Sequence, residues 1–148
     1  EAAKHFGSKV EFTLVGDYSL LSKDIVSELK AYINLVGHVS RDKVSEFYKC
    51  ADVFLLPSIC EGSATVTYEA MQYGLPLIVT PNTGSVVRNG EEGIIIEAGN
   101  SQCLVDAINI LLNSPYLVSK YSSKVINRAS YASLDSYSKR LSEVLIEE

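Results

Sequence analysis

The chain has 148 residues, enough for one ordinary domain with a sizeable core, and 47% of them are hydrophobic against 21% that are charged. Its formal net charge of −5 argues against a nucleic-acid surface, because binding to phosphate backbones needs clustered Lys and Arg side chains. The sequence contains neither the pattern of a signal peptide nor an apolar run of transmembrane length.

Cysteine usage agrees with a reducing compartment. Cys50, Cys60 and Cys103 are odd in number, widely spaced and without a Cys-x-x-Cys pair. This pattern favours buried free thiols over disulfides or a metal site. We therefore expect a cytoplasmic protein.

The first fifty residues predict two strands, each followed by a helix. Residues 10–15 have the pattern of a buried strand that ends at Gly16-Asp17, and apolar residues then recur at helical spacing. Residues 33–36 predict the second strand, and Ser40 can cap the helix that follows it. Three apolar residues are predicted on the inner face of that helix: Val44, Phe47 and Tyr48.

The rest of the chain predicts three further strands and four helices. The strands are residues 53–56, 77–80 and 94–96. The first of the helices is predicted to run from near Thr65 to Gly74, where Gly and Pro76 are typical of a helix end. Ser101 can cap the next one. The last helix is predicted to turn four apolar side chains inward: Tyr137, Leu141, Val144 and Leu145.

Apolar strands that alternate with helices indicate a parallel sheet covered on both faces. No internal repeat, linker or low-complexity stretch interrupts the pattern. The sequence thus predicts an α/β fold, a single Rossmann-like domain over residues 1–148. Ligands of such sheets bind beyond the C-terminal ends of the strands. Three segments would gather there: Gly16-Asp17, Gly37-His38-Val39, and residues 57–65.

Two glutamates eight residues apart, Glu61 and Glu69, bracket the turn from the third strand into the helix that begins near Thr65. The N–H groups at a helix N-terminus lack internal partners and carry the positive end of the helix dipole, so they suit a phosphate. Small residues at positions 62–64 let a ligand approach the main chain. At about 1.5 Å of rise per residue, Glu69 lies roughly one turn inside the helix. The two acids would flank a diphosphate, although an acid in the first turns of a helix also has a purely structural explanation.

These residues carry a family resemblance. The run from Glu61-Gly62 to Glu69-Ala70-Met71 resembles the donor-binding signature of family-four glycosyltransferases, often called glycosyl transferases group 1. Further similar motifs are Gly37-His38-Val39, residues 51–58, Gly74-Leu75-Pro76, and residues 89–96. The resemblance covers most of residues 10–112. It implies a retaining enzyme of the GT-B fold, with this chain as its C-terminal donor-binding domain.

The resemblance also implies roles for single residues. Glu61 would be catalytic and contact the transferred sugar, and Glu69 would accept hydrogen bonds from the ribose hydroxyls. The main chain around His38 and Val39 would hold the nucleotide base, and the N–H groups of residues 63–66 would hold the diphosphate. By name, the predicted donor-binding residues besides Glu69, His38 and Val39 are Gly16, Gly62, Ser63, Ala64, Thr65 and Val66.

No Asp-x-Asp pair is present to hold a divalent metal on a diphosphate. We expect metal-free transfer without a cofactor, in which the helix dipole stabilises the leaving diphosphate. Gly-x-Ser-x-Gly is absent and His is scarce, so a Ser-His-Asp triad is not predicted. The expected partners are a nucleotide-sugar and an acceptor (a glycan, a lipid or a small molecule) held by an N-terminal domain. Peripheral association of the full-length enzyme with a membrane is compatible with this reading.

The sequence departs from the family pattern in three places. Ser63 and Ala64 replace the usual Gly-aromatic-Gly after the first glutamate, and residues 81–87 match the family's Gly-Gly turn poorly, with Ser85 near the acidic position. Residues 1–6 resemble the end of the helix after the family's first strand, so that strand and its basic loop have no counterpart here. We expect a fragment of a longer two-domain enzyme.

Other functions stay open from the sequence. A nucleotide-sugar epimerase can share the GT-B architecture, and a non-catalytic nucleotide-sugar-binding module would have the same motifs. A receiver-type signalling module also has five parallel strands, but it needs an Asp that ends its third strand and a Lys that ends its fifth. Here Asp52 precedes its strand, and Glu97 follows the fifth.

Overall fold

A computed structural model describes residues 1–146. Contacts between residues group the chain into two compact units, of which the first is residues 1–50 and the second begins at Ala51. Each unit contains its own parallel sheet, flanked by helices. The predicted α/β class with parallel strands is confirmed, but the five strands of the described residues form two sheets instead of one. Apolar runs predict where strands occur and do not predict which strands pair.

The first unit contains two strands and three helices. Strand β1 (Thr13–Val15) lies parallel to β2 (Asn34–Gly37), with Leu14 opposite Leu35. The helices are α1 (Ala2–Phe6), α2 (Lys23–Lys30) and α3 (Arg41–Cys50), and a short 3-10 turn spans Gly7–Lys9. Helix α2 begins after Ser22, whose hydroxyl accepts a hydrogen bond from the Ile25 N–H at 3.4 Å. On α3, Tyr48 is buried and Val44 and Phe47 are half-buried, as predicted for its inner face.

The second unit contains a three-stranded parallel sheet. Its strands are β3 (Phe54–Leu56), β4 (Leu77–Val79) and β5 (Gly93–Ile95), in the order β3-β4-β5. Central strand β4 is buried along its whole length, because it has a hydrogen-bonded neighbour on both sides. All five strands predicted from the sequence are present. The two segments that form the candidate site follow β3 and β4.

Four helices complete the second unit. They are α4 (Thr65–Gln72), α5 (Ser101–Leu112), α6 (Pro115–Tyr131) and α7 (Leu134–Ile146), and a 3-10 turn spans Pro81–Thr83. Helix α4 packs against α6, with Met71 and Val125 fully buried. The predicted start of α4 at Thr65 is confirmed, and Gly74 follows its end with a positive φ of 72°.

The segment before β5 is tied to its surroundings by charged side chains. The carboxylate of Glu92 is buried and accepts hydrogen bonds from the Arg88 N–H at 2.9 Å and from the Arg88 guanidinium. Lys124 on α6 pairs with Glu91, and Arg128 Nε donates to the Val86 carbonyl at 3.0 Å. These contacts fix the 86–92 segment at the N-terminal edge of β5, away from the edge where ligands of parallel sheets bind.

Three further predictions from the sequence are wrong. The cap of α5 is Asn100 and not Ser101: the Asn100 side chain accepts from the N–H groups of Gln102 and Cys103, and Ser101 is the first helical residue. Asn and Ser cap comparably well, so the extended backbone of residue 100 decides between them.

Cys50 and Cys60 are exposed and Cys103 is half-buried, so the three free thiols are not buried.

The third error concerns α7. Its apolar side chains were predicted to face inward, but the four are between 45% and 68% exposed: Tyr137, Leu141, Val144 and Leu145. Polar contacts attach α7 to α6, since Arg140 Nη1 donates to the Tyr131 carbonyl at 2.8 Å and the Arg140 guanidinium lies 4.1 Å from the Tyr131 ring centre. Helical periodicity shows which residues share a face, not whether that face is covered. Within residues 1–146, no helix has both the length and the apolarity needed to span a bilayer.

Candidate functional site

The loop of residues 58–64 leads from β3 into α4, and small residues leave the N-terminus of the helix open. Ala64, the residue before the helix, has an extended backbone (φ −72°, ψ 97°) and no side chain that caps it. Within the described part of the chain, the N–H groups of Ser63, Thr65 and Val66 have no hydrogen-bond acceptor, and all three residues are exposed. Three backbone donors at the positive end of a helix are thus available to an anion.

Ala64 differs from its three neighbours. Its N–H, predicted as a further donor to the diphosphate, donates instead to the Thr83 carbonyl at 3.0 Å, and the residue is buried. The Ala64 carbonyl accepts from both the N–H and the hydroxyl of Thr67, at 3.0 and 2.7 Å. The structure therefore uses Ala64 to anchor the start of α4 and leaves three of the four predicted donors open.

The two glutamates lie on either side of this helix start. Glu61 is exposed on the 58–64 loop, and its N–H donates to the Asn82 carbonyl at 3.1 Å. Glu69 is half-buried on α4, four residues after Thr65 and therefore about 6 Å further along the helix axis. Gly62 is exposed between Glu61 and the open N–H groups. Along the chain, the open N–H donors thus lie between the two acids, and the assignment of both acids to a donor stays a prediction.

A second segment, residues 80–84, holds the 58–64 loop in place and was not predicted. It follows β4, which is the parallel neighbour of β3, so both segments leave the same edge of the sheet. The Thr80 hydroxyl donates to the Ser58 carbonyl at 2.5 Å, and Asn82 Nδ2 donates to the Ile59 carbonyl at 2.6 Å. The sequence signal that could have identified the segment is its position, since polar residues directly after an apolar strand lie at the ligand-binding edge.

Gly84 allows the two segments to approach closely. It is left-handed (φ 60°, ψ 22°), and a Cβ built at this position would lie 2.2 Å from the Gly62 carbonyl oxygen. The Tyr68 hydroxyl on α4 lies 3.4 Å from the Gly84 carbonyl and donates to it. No other residue type fits here without movement of the 58–64 loop.

In the first unit, the ends of β1 and β2 meet as predicted. The Gly16 N–H donates to the Gly37 carbonyl at 2.9 Å, and His38 is exposed and Val39 half-buried directly after β2. Asp17 accepts from the N–H and the hydroxyl of Ser19, at 2.8 and 3.0 Å. These hydrogen bonds, with a smaller contribution from the nearby His38, hold the pKa of Asp17 below its usual value.

Among the described residues, no group of three or more His, Cys, Asp or Glu side chains is arranged to hold a metal ion.

The fold and the site together define a class. Parallel α/β units, with a small-residue loop that opens a helix N-terminus between two acids, are typical of nucleotide-binding domains.

The family follows from comparison with known proteins. The family model of the glycosyl transferases group 1 matches residues 1–114, and the chain belongs to this family. The capsular polysaccharide biosynthesis glycosyltransferase CapM of Staphylococcus aureus is 39% identical over 85 residues, which are 56% of this chain and 22% of CapM. The Escherichia coli UDP-Gal:alpha-D-GlcNAc-diphosphoundecaprenol alpha-1,3-galactosyltransferase is 31% identical over 103 residues, 66% of this chain and 26% of that enzyme. The matches thus span about a quarter of the length of these curated relatives.

Solved structures show the same fold. HepE of Anabaena in complex with UDP-glucose superposes with a TM-score of 0.81 at 22% identity, over 99% of this chain and 43% of HepE. A glycosyltransferase from Rickettsia africae gives a TM-score of 0.82 at 20% identity, over 99% of this chain and 42% of that protein. The predicted resemblance to a domain of the GT-B fold is confirmed.

Proposed function

We propose that this chain is the donor-binding domain of a glycosyltransferase that moves a sugar from a nucleotide-sugar to an acceptor in glycan or polysaccharide biosynthesis. The observation that carries the proposal is the set of three open N–H groups, of Ser63, Thr65 and Val66, between Glu61 and Glu69. Membership of the glycosyl transferases group 1 supports it. The acceptor would be bound by a part of the full-length protein outside this chain.

The chemistry assigned to these groups follows from where charge develops. When the bond between the sugar C1 and the phosphate oxygen breaks, the nucleoside diphosphate leaves with the electron pair, and an acceptor hydroxyl forms the new bond to C1 and loses its proton. Backbone donors and a helix dipole that are already oriented toward the diphosphate stabilise this leaving group without reorganisation. Transfer without a divalent cation is therefore part of the proposal.

Each glutamate would bind a different part of the donor. A carboxylate can accept hydrogen bonds from two vicinal hydroxyls, which suits both a ribose and a hexose. We assign the ribose to Glu69 on α4 and the transferred sugar to Glu61 on the loop. In the first unit, we assign the base to the main chain at His38 and Val39, and Gly16 follows the neighbouring strand of that unit.

The donor is proposed to be a UDP-sugar. One of the structural neighbours holds UDP-glucose, and the name of the Escherichia coli relative specifies UDP-Gal. A cytoplasmic location, with peripheral contact to a membrane that carries a lipid-linked acceptor, fits such donors.

Binding by the full-length protein tests the proposal. Thermal unfolding should shift upward with UDP-glucose or UDP-galactose and less with GDP- or ADP-glucose, because a ligand that binds only the native state adds about 2.7 kcal/mol at a hundredfold excess over Kd. Glu69→Ala should reduce the shift, and Glu143→Ala, an exposed acid on α7, should retain it. Absence of any shift with all four donors would refute donor binding.

Product analysis then separates transfer from the other functions. Sugar found on an acceptor supports the proposal. A nucleotide-sugar that is bound and released unchanged would indicate a binding module, and one released with an inverted ring carbon would indicate an epimerase. Either of these two results would contradict transfer while leaving donor binding intact.

A further inference from the structure

We propose that Asn82 is a positioning residue for Glu61, through which the 80–84 segment sets the geometry of the donor site. The inference rests on the proposed function of that site. Asn82 is exposed and is not assigned to the donor; what it contacts is the backbone of the 58–64 loop.

Two hydrogen bonds connect Asn82 to the loop on both sides of Cys60. Its Nδ2 donates to the Ile59 carbonyl at 2.6 Å, and its own carbonyl accepts from the Glu61 N–H at 3.1 Å. Together these bonds fix the orientation of the peptide groups before and after residue 60. The position of the Glu61 Cα, and with it the reach of the carboxylate, depends on them.

The loop has little else to define its shape. The hydrogen-bonded ladder between β3 and β4 ends at Leu56 and Val79, and Pro57 follows at once. Residues 59–63 are exposed and lie outside any helix or strand. Exposed residues outside a helix or strand have many accessible backbone conformations, and Gly62 adds to them, so contacts from outside the loop must select one.

The 80–84 segment is by contrast well fixed. Thr80 and Thr83 are each only 1% exposed, and the Thr83 hydroxyl donates to the Thr80 carbonyl at 2.9 Å, which closes the 3-10 turn that contains Asn82. Four hydrogen bonds join this segment to the loop. The segment donates to the carbonyls of Ser58 and Ile59 and accepts from the N–H groups of Glu61 and Ala64. A segment anchored by two buried threonines thus holds the exposed loop along its length, and Asn82 makes the two contacts next to Glu61.

Steady-state kinetics of the full-length enzyme test the role. Asn82→Ala removes one neutral hydrogen bond, and Asn82→Asp keeps the shape but places an acceptor against the Ile59 carbonyl. We expect kcat to fall about five- to tenfold in the alanine variant and further in the aspartate variant. The KM for the donor should change less than about twofold, because the three open N–H groups and Glu69 are untouched. Asn127→Ala, an exposed asparagine on α6, is the matched control and should keep both constants.

A second measurement does not depend on catalysis. Hydrogen exchange of the peptide that contains residues 58–64 should be faster in Asn82→Ala than in the wild type and unchanged in Asn127→Ala, since the loop opens locally when its contacts weaken. Unchanged exchange together with unchanged kcat in either Asn82 variant would overturn the inference while the proposed function stands. A wild-type enzyme that neither binds nor transfers a sugar would instead refute the proposed function.

Discussion

Replacing Gly84 with alanine tests how closely the 80–84 segment approaches the 58–64 loop. Two costs are expected. The residue has a φ of 60°, where an alanine is less stable by about 1–2 kcal/mol. In addition, its Cβ would lie 2.2 Å from the Gly62 carbonyl oxygen, whereas ordinary contact begins at 3.4 Å, so the loop must move by at least about 1 Å.

Gly90→Ala separates the two costs. Gly90 has a φ of 77°, but a Cβ there would have nothing within 4 Å. The free energy of unfolding of Gly90→Ala should therefore fall only by the backbone cost, about 1–2 kcal/mol. A gain of about 0.4–1 kcal/mol offsets part of this loss, because alanine makes the unfolded chain less flexible. Gly84→Ala should lose about 1–3 kcal/mol more, which is the usual cost of forcing extra volume into a packed site.

Thermal unfolding followed by circular dichroism measures the difference. At about 2–4 °C per kcal/mol for a chain of this size, Gly84→Ala should unfold about 2–12 °C below Gly90→Ala. If the two variants unfolded at the same temperature, the close approach of Gly84 to Gly62 would be refuted. The 80–84 segment would then shape the loop through its hydrogen bonds and not by steric contact.

Three further predictions concern the site. In the full-length enzyme, Glu61→Gln should mainly lower kcat, because charge develops at the sugar in the transition state. Glu69→Ala should mainly raise the KM for the donor. Each effect should be about ten- to a hundredfold, since hydrogen bonds to a charged group contribute about 1.5–3 kcal/mol. Transfer should survive EDTA, measured as product formed with and without added Mg²⁺ or Mn²⁺. In Ser19→Ala, the pKa of Asp17, followed by NMR titration, should rise toward its usual value of 3.8, because a hydrogen bond to the carboxylate is lost.

The effect of Ser19→Ala on stability should depend on pH. The folded-state pKa of Asp17 is lowered, so its contribution to stability is present above the pKa of the unfolded chain and is lost as the pH falls through the folded value. Removing the Ser19 hydroxyl should thus weaken the protein above about pH 4 and make little difference at strongly acidic pH. Wild-type kinetics in both glutamate variants, complete loss of transfer on chelation, or an unchanged Asp17 titration would each contradict the corresponding prediction.

Much of the fold could be predicted from the sequence because its strands are short and apolar. Each predicted run contains most or all of an observed strand, and Thr65 was found as the helix start because small residues precede it. The errors have a common physical origin. Whether the apolar face of α7 is covered, and whether Asn100 or Ser101 caps α5, depends on backbone geometry and neighbours that residue types do not encode.

The candidate site was predicted unevenly for the same reason. Glu61 and Glu69 could be found because charged residues at a fixed spacing around a helix start are visible in a sequence. The sequence could not show that the Ala64 N–H donates a hydrogen bond within the protein. Its acceptor, the Thr83 carbonyl, is 19 positions away and comes close only through the pairing of β3 with β4. A hydrogen bond to a main-chain carbonyl has no sequence signature at its acceptor.

The residues that would contact the donor and the residues that shape the loop lie on different segments. The acids that would contact the donor lie on a loop and on the first turns of a helix, whereas the shape of the loop is set by a segment that we do not assign to the donor. A substitution at Asn82 or Gly84 can therefore move Glu61 without altering its chemistry, and a displacement of about 1 Å at a reacting centre can reduce turnover by about a hundredfold. Loss of activity in a variant whose two glutamates and open N–H groups are intact is what this arrangement predicts. Within the 80–84 segment, Asn82 is accordingly the position where substitutions should change turnover with the least effect on donor affinity, because its contacts are with Ile59 and Glu61 and not with the open N–H groups.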